Sequence, residues 1–105
     1  ALLPSEHQLQ ILFILQEALS NIRKHANARN VQISLNNSDD FILSIQDDGD
    51  GFNINAAKIQ SESHIGLKIM RERAAQLGAR LEIISKSGQG TTIRLILPHS
   101  ARMAA

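Results

Sequence analysis

The spacing of apolar residues changes repeatedly along this chain, and those changes limit the fold more than any single residue does. Ile11, Leu15, Ala18 and Ile22 recur at helical spacing, with Leu12 and Leu19 widening the stripe. Pro4-Ser5-Glu6 supplies a helix start, so the pattern predicts a helix over residues 5–26. Val31, Ile33 and Leu35 then alternate with polar neighbours. Phe41, Leu43 and Ile45 repeat that period beyond the stretch Asn36 to Asp40, as an antiparallel hairpin with one buried face would. Helical spacing returns at Ile65 and runs through Leu67, Met70, Ala74 and Leu77 to Gly78, a natural helix terminus. Two final strands, over 81–85 and 91–97, flank Gly88-Gln89-Gly90. The order α, β, β, loop, α, β, β belongs to an α/β two-layer sandwich with helices on one face of a sheet. The polar, weakly periodic residues 53–63 read as a loop of the kind that carries function.

Size and charge narrow the chemistry. A chain of 105 residues, 43% of them hydrophobic, can bury one core, so a single domain over 1–105 is expected. Eleven Lys and Arg stand against ten Asp and Glu, with no run of like charge that predicts binding to nucleic acid or to an anionic membrane. The chain has no cysteine, which removes disulfides and thiol nucleophiles and is compatible with a reducing compartment. No signal-peptide pattern is evident, and the longest apolar run, Ile11 to Leu15, is too short to cross a bilayer. With no Trp or Tyr and three Phe, the chain also lacks stacking platforms for single-stranded nucleic acid.

Two polar clusters interrupt these patterns. Glu17, Asn21 and Lys24 fall at i, i+4 and i+7 and project from one side of the first helix. They read either as a solvated polar stripe or as a site, in which Asn21 could ligate Mg²⁺, an ion that takes few protein ligands when it bridges phosphates. Asp47 closes an alternating strand, and Gly49 and Gly51 allow close backbone approach. The cluster is either an acidic turn or a base site. A buried Asp47 would accept a hydrogen bond from the exocyclic amine of adenine and disfavour guanine by about 1–3 kcal/mol. A calcium loop does not fit: counted from Asp48, Phe52 and Asn53 fall where an oxygen ligand and Gly are needed, and Ile59 replaces the terminal Glu. His64-Ile65-Gly66-Leu67 opens the second helix, whose first-turn N–H groups suit anionic phosphate oxygens, although a Gly there is often only a hinge. His25 and His64 either donate to phosphate or lie at the surface. No H-E-x-x-H zinc pattern, Walker loop or G-x-S-x-G elbow is present.

In combination these clusters resemble the ATP-binding catalytic domain of bacterial sensor histidine kinases, within the superfamily that includes gyrase, Hsp90 and MutL. Glu17 to Ala26 is similar to the N box, Asp47 to Gly51 to the D-x-G-x-G box, and His64 to Leu67 to a G-x-G-L box whose first Gly is His64. Gly88-Gln89-Gly90-Thr91 is similar to the terminal G-x-G-T element. The run Met70 to Ala74 followed by Leu77-Gly78 resembles the subgroup that includes nitrate/nitrite sensors. The resemblance implies a Bergerat-type sandwich with a mixed, largely antiparallel sheet, ATP beside the first helix, and a lid over residues 52–64. It further implies that Asp47 binds the adenine amino group, Asn21 ligates Mg²⁺, and Lys24 and His25 approach phosphates. Gly49, Gly51, His64, Gly66, Leu67 and Gly90 would shape the nucleotide site, and Thr91 would close the adenine pocket. Glu17 occupies the position of the water-activating Glu of hydrolysing relatives.

The reaction implied is transfer of the γ-phosphoryl group of ATP to a histidine on a separate dimerisation helix, then onward to a response regulator. His7 lacks the expected acceptor context, so the dimerisation and phosphoacceptor helices are expected outside this sequence. The alternatives are an anti-sigma-type serine kinase, a hydrolysing ATPase of the same superfamily, or a degenerate module that binds nucleotide or a regulator without catalysis. The expected location is the cytoplasm without direct membrane contact, with an inner-membrane parent left open.

Overall fold

A computed structural model describes residues 5–37, 39–51 and 62–98, with the backbone alone at residues 25, 26 and 62–64. The expected loop and lid lie largely outside these residues. Helix α1 spans Ser5–Asn21 and continues into one π-helical turn, Ile22–Ala26. Strands β1 (Val31–Asn37) and β2 (Phe41–Asp47) follow, then α2 (Glu62–Gln76), β3 (Arg80–Ser85) and β4 (Thr91–Leu97). The sheet order is β1-β2-β4-β3, with every described pair antiparallel. Both helices lie on one face, so the two-layer sandwich holds. The parallel contact implied by a mixed sheet is not seen among the described residues.

The core forms where the apolar sides of helix and sheet meet. Ile14 and Ala18 of α1 and Met70 and Ala74 of α2 pack over Leu43, Ile45, Leu95 and Leu97 of the two central strands. Full burial of a Leu or Ile contributes roughly 1.5–3 kcal/mol, so β2 and β4 are the framework against which the polar residues are placed. The helices are also joined along their flanks. The Arg73 guanidinium lies 4.5 Å from the Phe13 ring centroid and donates to Gln10 Oε1 at 3.4 Å. Helix α2 ends as its sequence predicts: Gly78 adopts φ +73°, and the N–H groups of Ala79 and Gly78 donate to the carbonyls of Ala74 and Ala75. This pair of bonds is a Schellman closure that satisfies the last turn.

Three expectations need correction. The hairpin does not bury one face on both strands. Val31, Ile33 and Leu35 face the same way as the core residues Leu43 and Ile45, yet all three are exposed because β1 is the sheet edge beyond the helices. The apolar stripe of α1 is narrower than its sequence implies, since Leu12 is exposed and lies well round the helix from Ala18. The first helix is not α-helical to residue 26. Its wide final turn advances each residue by a smaller angle than an α-helix, so Lys24 does not keep the register with Glu17 and Asn21 that continuous helix would impose.

Candidate nucleotide-binding site

Asp47 is the single charged side chain among the buried described residues. It ends β2, and its backbone pairs with Val31 on one side and Thr91 on the other. Strand alternation turns it to the core side, because it continues the series Leu43, Ile45. A carboxylate there is costly unless a partner holds it. The Gly49 N–H donates to Asp47 Oδ1 at 2.8 Å, which fixes the carboxylate and, among the described residues, leaves Oδ2 for another donor. Gly49 itself is buried. Thr91, its cross-strand neighbour, exchanges a 2.7 Å hydrogen bond with Ser85, and the Ser85 hydroxyl lies 3.2 Å from the Gly90 carbonyl.

The loop after Asp47 is seated on the β3–β4 turn by two glycines. Gly51 has φ +64°, and a Cβ there would strike the Lys86 carbonyl oxygen and come within 2.8 Å of that of Gly90. Gly90 has φ +78°, and a Cβ there would strike the Asp47 carbonyl oxygen. The Gly88 N–H donates to the Asp50 carbonyl, adding a polar tie. Glycine is required at both interlocking positions by conformation and by space.

A second cluster lies between the helices. Glu17 and Asn21 stand one turn apart on α1, opposite Gly66 of α2. A Cβ on Gly66 would come within 3.1 Å of Glu17 Oε2 and 3.2 Å of Asn21 Nδ2. The Nδ2 of Asn21 is buried without a hydrogen-bond partner. A half-turn of the amide exchanges its ends and brings Oδ1 to that position, so the residue can offer a carbonyl oxygen to a cation or a donor to an anion. No group of three or more His, Asp or Glu side chains among the described residues could hold a metal by itself. An ion of the Mg²⁺ type held through water and phosphate needs no all-protein cage.

The other predicted residues divide. Lys24 is exposed at the wide turn, and His25 lies in the same turn with its backbone alone described. His64 is likewise described by its backbone, and α2 begins at Glu62 rather than at His64. The first-turn N–H groups are therefore those of residues 62–65. Leu67 packs in the hydrophobic core, so its described contacts are those of a packing residue.

Sequence reasoning missed Asp48 and Ser85. Asp48 faces solvent, where its Oδ1 accepts from the backbone N–H groups of Arg29 and Asn30 and its Oδ2 from Asn30 Nδ2, each at 2.9 Å. The Asn30 donors, followed by the Arg29 N–H, hold its carboxyl below the ordinary value of 3.8. The pairing joins residues distant in sequence and carries no local signal. Ser85 was traceable only as the hydroxyl-bearing partner of Thr91 once the strands were in register.

Residues 6–101 match the family described as histidine kinase-, DNA gyrase B-, and HSP90-like ATPase. Over 86 residues the chain is 45% identical to the sensor protein VraS of Staphylococcus aureus and 43% identical to VraS of Staphylococcus epidermidis, in each case covering 81% of this chain and 24% of the relative. The chain therefore spans about a quarter of the length of these curated relatives. Among solved structures, the Erythrobacter litoralis EL346 blue-light activated histidine kinase superposes with a TM-score of 0.79 at 25% identity, covering 98% of this chain and 34% of that one. The Acinetobacter baumannii histidine kinase AdeS shares the fold with a TM-score of 0.71 at 18% identity, over 86% of this chain and 46% of that one. The relatives named here give the nitrate/nitrite-sensor subgroup no support. With the motifs, the sandwich and a family match over most of its length in agreement, the chain belongs to the histidine kinase-, DNA gyrase B- and HSP90-like ATPases.

Proposed function

We propose that this chain is a single catalytic domain that binds Mg-ATP and presents its γ-phosphoryl group to a histidine on a separate dimerisation helix. The observation that carries the reading is the buried Asp47 carboxylate, pinned by Gly49 and set beside Thr91. An anion in a core is retained where it has a donor to meet, and the adenine amino group is such a donor. Asn21 and Glu17, gathered against Gly66, form the phosphate and metal side. Asn21 would hold Mg²⁺ there, and the ion would supply positive charge against the phosphates. Lys24 and His25 belong to the same helix end and are assigned to the phosphates.

In the transfer, the bond from the γ-phosphorus to the ADP oxygen breaks and a bond to an imidazole nitrogen forms, with the imidazole proton passing to solvent or a nearby base. The chain's contribution is alignment and charge, which supply most of the catalysis of phosphoryl transfer. The acceptor helix, supplied by the same protein or by a partner, and a downstream response regulator complete a two-component relay. The relatives' names as sensor proteins support this assignment, as does the likeness to histidine kinase structures. The cytoplasm, where ATP is available, is the proposed location. No helix among the described residues is long and apolar enough to cross a membrane.

Calorimetric titration with a non-hydrolysable ATP analogue, with and without Mg²⁺ and beside its guanine counterpart, tests the pocket. Adenine-selective, Mg²⁺-assisted binding is expected; equal affinity for both bases would remove Asp47 from its role. Incubation with labelled ATP and a histidine-bearing dimerisation helix, a serine substrate protein or water alone then tests the acceptor. Label on the helix is the expected product.

A further inference from the structure

We propose that Asp48 is a positioning residue that holds the phosphate-side end of the first helix in register with the adenine-side carboxylate of Asp47. The inference rests on the nucleotide-site reading above and adds to it a residue that touches no ligand. Successive strand residues point to opposite sides. Asp47 therefore turns into the core while Asp48 turns out, where it collects three donors from Arg29 and Asn30. A fourth bond runs the other way, from the Asp48 N–H to the Asn30 carbonyl at 3.3 Å.

The segment so gripped is the one most in need of a tether. Asn21 is followed by the wide turn Ile22–Ala26, which ends in Asn27 at φ +51°. Both are sparsely populated backbone arrangements that persist where the surroundings hold them. Lys24 and His25 lie inside that turn, between the partly buried Asn21 and the clamp at Asn30. The clamp ends one peptide unit from the residue that would read the base. The other side of the same loop is fastened to the β3–β4 turn through Asp50, Gly51 and Gly90. Displacement at residues 29–30 would reach Lys24 and His25 while the adenine side stays seated. The chemistry of the clamp is specific. Asp48→Asn keeps an acceptor for the two backbone N–H groups and, after a half-turn of the exposed Asn30 amide, a neutral side-chain bond, but it removes the charge that strengthens all three. Exchanging the two, Asp48→Asn with Asn30→Asp, returns a charge to the side-chain bond.

The test is a pair of NMR titrations, one with adenosine and one with Mg²⁺-loaded β,γ-imido-ATP, on the wild-type chain, Asp48→Asn and the exchanged double variant. The readout is the ratio of nucleotide to nucleoside affinity, which a generally loosened fold would leave unchanged. Asp48→Asn is expected to lower that ratio on the order of fivefold, the size of coupling found between groups sharing one hydrogen-bonded link. Adenosine affinity should hold, and the double variant should recover part of the ratio. An equal loss for both ligands, no loss for either, or failure of the exchange to recover any of the ratio overturns the proposal. Should Asp48→Asn not fold, Asn30→Ala keeps both backbone bonds, and an unchanged ratio in that variant has the same meaning. If the wild-type chain shows no preference for adenine over guanine nucleotide, the site reading fails and the coupling with it; a wild type that discriminates, joined to an unaffected Asp48→Asn, overturns the coupling alone.

Discussion

Gly88 and Gly90 occupy one turn and share a left-handed backbone, with φ of +82° and +78°. A Cβ on Gly88 would meet no atom within 4 Å, whereas one on Gly90 would strike the Asp47 carbonyl oxygen and lie 3.2 Å from its carbon. The pair separates conformational cost from steric cost. Gly88→Ala places an L-residue in the left-handed region, at about 1–2 kcal/mol. Gly90→Ala carries that cost and, because its obstacle is backbone at the end of the central strand β2, an overpacking cost of about 1–3 kcal/mol more. The narrowing of the unfolded ensemble by Ala is common to both and cancels in the difference. Urea unfolding followed by circular dichroism should therefore put Gly90→Ala below Gly88→Ala by about 1–3 kcal/mol with similar slopes. Since the displaced carbonyl belongs to Asp47, the folded fraction of Gly90→Ala should also bind the ATP analogue more weakly, while Gly88→Ala binds as wild type. Equal stability losses would refute the interlock as the reason for glycine at residue 90.

Other substitutions probe each side of the site. Gly66→Ala should leave stability within about 1 kcal/mol of wild type, because the helix gains about 0.5–1 kcal/mol in propensity while Glu17 and Asn21 give way by a few tenths of an ångström. Its expected loss is in Mg²⁺-dependent nucleotide affinity, measured by calorimetry, and undiminished Mg²⁺ assistance would contradict the placement of Asn21. Asp47→Asn should keep the fold and weaken ATP-analogue binding roughly tenfold or more, the value of a hydrogen bond to a charged group, with the preference over guanine reduced. Asp48 is held below its ordinary 3.8. Its clamp therefore stabilises the fold fully above that value, and the contribution disappears as pH falls through the depressed folded-state value. Urea midpoints across this acid range should fall more steeply in wild type than in Asp48→Asn, and parallel curves would count against the clamp.

The central part of this fold was legible and its margins were not. Alternation located β2 and β4 to within a residue because both are buried between neighbours and their apolar sets have one place to go. The same alternation in Val31, Ile33 and Leu35 marked a face of β1 but could not tell that the helices stop short of it. The i, i+4 spacing of Glu17 and Asn21 identified a shared side of α1, while their meeting with Gly66 depends on helix–helix packing that no local pattern encodes. The wide turn at Ile22–Ala26 was hidden for a related reason. Ile22 continues the apolar stripe, so the period gives no warning that the hydrogen bonding changes there. Alternation and the D-x-G-x-G spacing singled out Asp47, but nothing local showed where Asp48 turns; strand register sends it away from the core to Asn30.

That division explains why so much of the site hangs on five residues. Asp47 to Gly51 is a connector, yet it meets α1's outgoing loop through Asp48, the β3–β4 turn through Asp50 and Gly51, and the core through Asp47. A segment tied to three elements cannot shift to accommodate a change at one of them without straining the others. Its substitutions should therefore be non-additive with those at Asn30 and Gly90, in contrast to changes on the far side of the sheet. Combining Asp48→Asn with Gly90→Ala perturbs the connector through two of its anchors. The summed single losses then overstate or understate the double by more than the 0.3–0.5 kcal/mol typical of independent sites. Simple additivity in a urea double-mutant cycle would mean that the two anchors act separately, and the connector would then be a spacer rather than the part that keeps base and phosphate sides in register.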